Sequence, residues 1–179
     1  MLTALHFFTH VGVSWIVANL GPCPRKDRWL IVLAGVVPDL DGIGLLWSDH
    51  AYLAIHRVVG HSLLVGLLLV GGVVLLAERR WISGALAAVS FQLHVLLDVV
   101  GTGGPPISYL WPFSAWRLAY GGHWSLASWP NAVVMTLTLL GVAAMAWCRA
   151  RRCSMPSAGG QAAEPPGRSR PPSGTGGPA

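Results

Sequence analysis

Residues 36–43 read VVPDLDGI, and they place Asp39 and Asp41 inside an apolar stretch, 29–47, of a chain with only seven acidic residues. An Asp at the centre of a bilayer costs roughly 2.5–3.5 kcal/mol to insert, so the pair asks for about 5–7 kcal/mol. The ten Leu, Ile and Val residues of 29–47 offset about 3–6 kcal/mol of this, at ~0.3–0.6 each. Insertion of the stretch alone is near break-even or worse. The carboxylates therefore need protonation, a water-filled cavity or a positive partner. The other reading is that Pro38 ends a helix and DLDG is a hydrated turn in which Asp39 caps the next piece.

The composition around that stretch is that of a membrane protein. The 179 residues are 53% hydrophobic and 11% charged, against roughly 25% charged in soluble domains. Apolar segments at 5–20, 29–47, 61–77, 82–100 and 131–148 are separated by Gly, Pro or charged residues. They predict an all-α, polytopic membrane bundle of about five spans over residues 1–153. Several fall short of the roughly 20 residues that cross a hydrocarbon core, which predicts a thin or irregular bundle. The tail 154–179, SMPSAGGQAAEPPGRSRPPSGTGGPA, has too few apolar side chains to offset the entropy of ordering and is expected to be disordered. Cys23, Cys148 and Cys153 show neither paired nor zinc-ribbon spacing. The start, MLTALHFFTHVGVSWIVANLG, has no basic n-region and carries two histidines, so it reads as a retained first helix rather than a cleaved signal.

Ten of the twelve basic residues lie on alternating connections: Arg25, Lys26 and Arg28; Arg79 and Arg80; Arg149, Arg151 and Arg152; and Arg168 and Arg170 in the tail. The positive-inside rule makes those connections and the tail cytoplasmic and puts 48–60 and 101–130 on the outer side. The net charge of +5 then calls for no nucleic acid.

With that orientation the histidines gather towards the outer side. His6 and His10 lie in the outer part of the first span, His50 and His56 in the first outer loop, His61 at the start of the third span, His94 in the fourth and His123 in the second outer loop. Counting ~1.5 Å per residue from each cytoplasmic end, His10 and Asp39 lie ~15 Å high, His94 ~20 Å, and Asp98 and His61 ~25 Å. HVLLD, 94–98, sets His94 and Asp98 on one helix face at i and i+4, a spacing that also suits a plain interhelical hydrogen bond. In HRVVGHS, 56–62, a continuous helix would turn His56 and His61 about 140° apart, so His61 is expected to open a helix and His56 to come from the preceding turn. Arg57 carries a fork suited to carboxylate or phosphate. The loop 101–129 has four tryptophans and two tyrosines, which suit an interfacial belt or a lid. His, Asp and water are the ligand set of zinc or a similar divalent ion, and carboxylates permit one or two ions.

Four elements in order, THVGVS (9–14), VVPDLDG (36–42), HRVVGHSLL (56–64) and LHVLLDVVGTGGPPISYLWPF (93–113), resemble the YdjM-type family of inner-membrane proteins, described as metal-dependent hydrolases and as LexA-binding. The resemblance implies a bacterial inner-membrane helical bundle with a metal centre built from His10, Asp39, Asp41, His56, His61, His94 and Asp98. It departs from the pattern at Gly42, where family members often have His, and at Val58-Val59-Gly60.

These readings predict a membrane-embedded hydrolase that cleaves a phosphoester or ester of a lipid-like substrate with a metal-activated water. His10, Asp39, His61, His94 and Asp98 are the expected ligands, Asp41 or His56 the base or orienting group, and Arg57 the stabiliser of developing negative charge. A membrane metal-binding or metal-transport protein would use the same ligands without chemistry, and purely structural polar contacts between helices would use them without metal. A haloperoxidase-like lipid phosphatase is disfavoured, because SFQLHVLLD lacks the Arg that its HxxxD element needs and no PSGH occurs.

Overall fold

The computed structural model describes residues 2–48, 52, 55–101, 104–125 and 127–154. They form α1 (Leu2–Ala18), α2 (Arg25–Ala34), a 3₁₀ segment (Val37–Leu46), α3 (Leu63–Leu76), α4 (Arg80–Gly101) and α5 (Trp129–Ser154). The fold is all-helical, with one isolated antiparallel bridge between Ile107 and Leu118 among the described residues. The tail 154–179, apart from Ser154, lies outside the described residues, as do His50 and the side chain of His6.

Among the described residues two helices, Arg80–Gly101 and Trp129–Arg151, have the length and composition to cross a membrane at 22 and 23 residues, or ~33–35 Å at ~1.5 Å per residue. The apolar parts of α1 and α3, Phe7–Ala18 and Leu63–Leu76, are shorter. The segment 29–47 is not one helix. The Gly35 N–H is shared between the carbonyls of Ile31 (3.3 Å) and Val32 (3.1 Å), and the Asp39 N–H then reaches Val36 O at 3.1 Å. The hydrogen bonding thus tightens to the i→i−3 pattern of a 3₁₀ helix, and Pro38 has no N–H with which to resume the α pattern.

α4 is the central element, packed against α1, α2 and α3, while α5 packs along α1. Its buried residues, among them Ser83, Ala87, Ser90, His94, Asp98 and Gly101, recur every three or four positions and form one stripe. α3 approaches closely through small residues: a Cβ at Gly66 would lie 2.6 Å from the Phe91 ring, and one at Gly84 2.5 Å from Val74. Ser62 begins α3 by accepting from the Val65 N–H at 3.3 Å.

The exterior of α3 and α5 is apolar, and polar groups are buried alongside an apolar core that includes Val17, Ile31, Ala87 and Phe91. Leu68 and Leu75 are 66% and 76% exposed, and Leu137, Leu139 and Leu140 on α5 are likewise open, whereas His10, His61, His94, Asp98, Ser14 and Ser90 are buried. An apolar exterior with ionisable groups turned inward is the distribution a lipid solvent favours.

A second buried polar knot ties the ends of three helices. Asp27 at the start of α2 accepts from the Glu78 N–H (2.9 Å), the Arg79 N–H (2.9 Å) and the Ser83 hydroxyl (2.7 Å), so it holds the α3–α4 connection. Burial pushes its carboxyl up, but those three donors outweigh it, Lys26 adds to them, and the group sits below its ordinary value. A carboxyl lowered in the folded state contributes stability that is present above its unfolded value of about 3.9 and lost as pH falls through the folded value. Asp27→Asn, which turns an amide NH₂ towards donors, should cost about 2 kcal/mol. In thermal unfolding in detergent it should also lose the part of the wild type's acid sensitivity that appears below about pH 4; a wild-type-like profile would discount the knot.

Candidate metal centre

α4 presents His94 and Asp98 on its buried stripe, α1 brings His10 beside them, and the 3₁₀ segment supplies Asp39. One ligand atom from each of these four residues lies within 4.8 Å of all the others. The break after α2 explains how Asp39 arrives there: leaving the helix at Gly35 turns residue 39 back towards α4. The extended-span count spread these four over ~10 Å of height. The 3.1 Å contact between His10 Nε2 and Asp98 Oδ1 closes that spread between two continuous helices, so level counting from the cytoplasmic ends does not give their relative heights.

The hydrogen bonds fix roles within the group. Gly35 O can only accept, so the His94 Nδ1 that lies 2.9 Å from it is the donor and carries the proton. The Nε2 lone pair of a neutral His94 then faces the cluster, 3.5 Å from Asp39 Oδ1 and 3.2 Å from His61 Nε2. Asp98 is the hub: its Oδ1 lies 3.1 Å from His10 Nε2 and its Oδ2 2.9 Å from His61 Nε2. The His10 and His94 rings are 4.0 Å apart between centroids. Asp39 Oδ2 is buried with no hydrogen-bond partner among the described protein atoms, an arrangement that is costly for a carboxylate unless a cation completes it. Two imidazoles and two carboxylates, one of them with an orphaned oxygen, fit a borderline divalent ion such as zinc.

The remaining expected residues form an adjoining shell. Asp41 bridges His56 Nδ1 (2.7 Å) and His61 Nδ1 (3.1 Å) and accepts the Arg57 N–H at 3.0 Å. His61, two residues ahead of α3, thus has one ring nitrogen on Asp41 and the other on Asp98. It lies beside the four-residue group with both nitrogens directed at carboxylates. His56 comes from the preceding turn, stacked on Tyr52 with centroids 4.5 Å apart, and is the most open of the set. Arg57 is buried at a left-handed φ of 66°, a conformation disfavoured for a side-chain-bearing residue. It donates from Nη1 to Pro105 O at 3.0 Å, and its Nη2 lies 3.8 Å from Asp98 Oδ2. The Ser108 N–H donates to Arg57 O at 3.0 Å and the Leu63 N–H to Tyr109 O at 2.7 Å, so the aromatic loop is fastened to this end of the bundle.

The model of the family described as YdjM inner membrane protein matches residues 1–158. The chain belongs to that family. The YdjM family is one of inner membrane proteins, in keeping with the two apolar helices of spanning length and the apolar exterior. The comparisons with curated proteins and with solved structures found no match.

One contributor to this site, Gly35, lies outside the sequence motifs. Gly35 holds His94 through its carbonyl, and Ser14 and Ser90 occupy the space a side chain at Gly35 would take. A glycine in an apolar run reads as packing, and only the break that follows it marks it as part of the site.

Proposed function

We propose that the chain is a membrane-embedded, metal-dependent hydrolase acting on a phosphoester or ester of a lipid-like substrate. The observation that carries this reading is the buried His10, Asp39, His94 and Asp98 group, with its ligand atoms within 4.8 Å and the orphaned Asp39 oxygen. A divalent ion there, one or two and zinc by the ligand set, would supply Lewis-acid polarisation and a more acidic water. Around it, the Gly35 carbonyl holds His94 in one tautomer, and His61, fixed between two carboxylates, holds Asp98 in register. His56, the open member of the Asp41 pair, is placed to take up or release a proton at the rim. Arg57 keeps a guanidinium beside Asp98, where negative charge would develop. The lipid-like substrate is supported by an apolar groove of about 220 Å³ between α1 and α5, lined by Phe8, Thr9, Met135, Thr138 and Leu139.

The basic connections favour a multi-pass arrangement of the helical segments in the inner membrane, with the tail in the cytoplasm and this centre towards the outer side; reporter fusions at the two ends that place the tail outside would invert it. Elemental analysis of detergent-purified protein tests the centre. Wild type should retain a divalent metal and release water-soluble head groups from mixed lipids, while Asp39→Ala and His94→Ala should lose most of both. Metal without head-group release would instead favour a membrane metal-binding or transport protein, and no metal in wild type would remove the centre.

A further inference from the structure

The metal centre occupies one end of the bundle. Towards the other end, a cleft of about 240 Å³ lies among α1, α2 and α5, with Arg28 and Arg25 set ~10 and ~15 Å along α2 from Gly35 at ~1.5 Å per residue. Its walls include Arg25, Arg28 and Trp29 on α2, Trp15 and Asn19 on α1, and Arg149 on α5. Three arginines from two distant parts of the chain line it, and among the described residues no acidic side chain does.

The acid nearest in sequence is engaged elsewhere. Asp27 sits between Arg25 and Arg28 in sequence, yet both of its oxygens are taken by the Glu78 and Arg79 N–H groups and the Ser83 hydroxyl on the α3–α4 side. The cleft is also organised in advance. Asn19 Nδ2 donates to Trp15 O at 2.6 Å, which leaves its Oδ1 to accept from Arg28 Nη1 at 3.3 Å and so steadies that guanidinium. Concentrated like charge held in a formed cleft is unfavourable without a counter-anion, and a guanidinium fork matches phosphate oxygens.

The surroundings distinguish a lipid from a soluble anion. Trp29 is 57% exposed at the rim, where an indole suits the headgroup level, and Leu20, Leu33 and Trp147 beside this end are also open. A free phosphate would use the arginines and leave these apolar surfaces uncovered. A phospholipid would use both.

We propose that this cleft binds the phosphate of an anionic membrane phospholipid, with Arg25, Arg28 and Arg149 on the headgroup and the acyl chains along the exposed apolar faces. Basic pockets between membrane helices are suited to such headgroups. The site is independent of the metal centre and stands whether or not that centre hydrolyses anything.

Native mass spectrometry of the delipidated full chain in detergent tests it, with dioleoylphosphatidylglycerol, dioleoylphosphatidylcholine and inorganic phosphate as separate probes. Wild type should retain phosphatidylglycerol at least about tenfold better than phosphatidylcholine, with inorganic phosphate failing to displace it. Arg28→Gln and Arg149→Gln should each weaken retention several-fold, Arg28→Lys should fall between because the charge stays and the fork is lost, and Arg117→Gln, in the distant loop, should leave it unchanged. Metal content and melting temperature unchanged in these variants would show that they fold. Equal binding of the two lipids, equal loss in Arg117→Gln, or inorganic phosphate binding as well as phosphatidylglycerol would overturn the proposal.

Discussion

Asp98→Ala should lower stability by about 3–5 kcal/mol, the usual cost of removing one partner from a buried ionic contact, and should abolish metal retention. The reason is the number of groups that depend on one carboxylate. Its Oδ1 is the partner of His10 Nε2, its Oδ2 is the partner of His61 Nε2, and the Arg57 guanidinium lies 3.8 Å away. Alanine leaves these groups buried around an apolar methyl, each short of an acceptor it has in the native fold. Asp98→Asn separates the two roles. It keeps the volume and one carbonyl oxygen, so most stability should remain, but a neutral amide is a poor ligand and metal should still fall to a small fraction of wild type. The measurements are thermal unfolding in detergent and elemental analysis of the same samples. Full metal occupancy in the asparagine variant would show that Asp98 supports the fold without holding an ion.

Asp98 was within reach of the sequence because helical spacing is a strong constraint. HVLLD sets His94 and Asp98 on one face whatever the helix packs against, and both lie on the buried stripe of α4. The turn reading of HRVVGHS rested on similar ground: His56 and His61 could converge only if no single helix carried both, and Asp41 now lies between them. What composition hid was the change of backbone within 29–47. Apolar periodicity reports which residues avoid water, and in a membrane bundle nearly every residue of such a run does so. The shift from α to 3₁₀ bonding at Gly35 therefore leaves no trace in hydropathy, although Asp39 beyond it joins the His10, His94 and Asp98 group while Asp41 turns to His56 and His61. Each earlier reading of VVPDLDGI captured part of this. Asp41 does face positively polarised partners in His56, His61 and the Arg57 N–H, whereas Asp39 Oδ2 has none among the described residues; the chain does leave its helix, but at Gly35. Asp27 was hidden for the opposite reason. Set between Lys26 and Arg28, it reads as a solvated charge in a basic connection, and its backbone donors from Glu78 and Arg79 could not be counted before the fold brought them close.

The same contrast between what surrounds a residue and what its type suggests predicts opposite outcomes for two glycines eleven residues apart. A Cβ at Gly60 would sit 2.5 Å from the Pro38 carbonyl oxygen and 3.0 Å from Asp41 Oδ2. The first of these is backbone and cannot rotate aside, so Gly60→Ala must push the 3₁₀ segment away from the turn that carries His56 and His61. Overpacking of this kind costs about 1–3 kcal/mol, and here the displaced segment also carries Asp39. Gly60→Ala should therefore lower the melting temperature by several degrees and reduce metal occupancy together, though no ligand has been changed. At Gly71, in the middle of α3, a Cβ meets nothing within 4 Å. Gly71→Ala should leave metal unaffected and stabilise the helix by about 0.5–1 kcal/mol through the lower backbone entropy of alanine. If Gly60→Ala kept wild-type metal and melting temperature, the close approach of residue 60 to Pro38 would not be what seats Asp39 against His94.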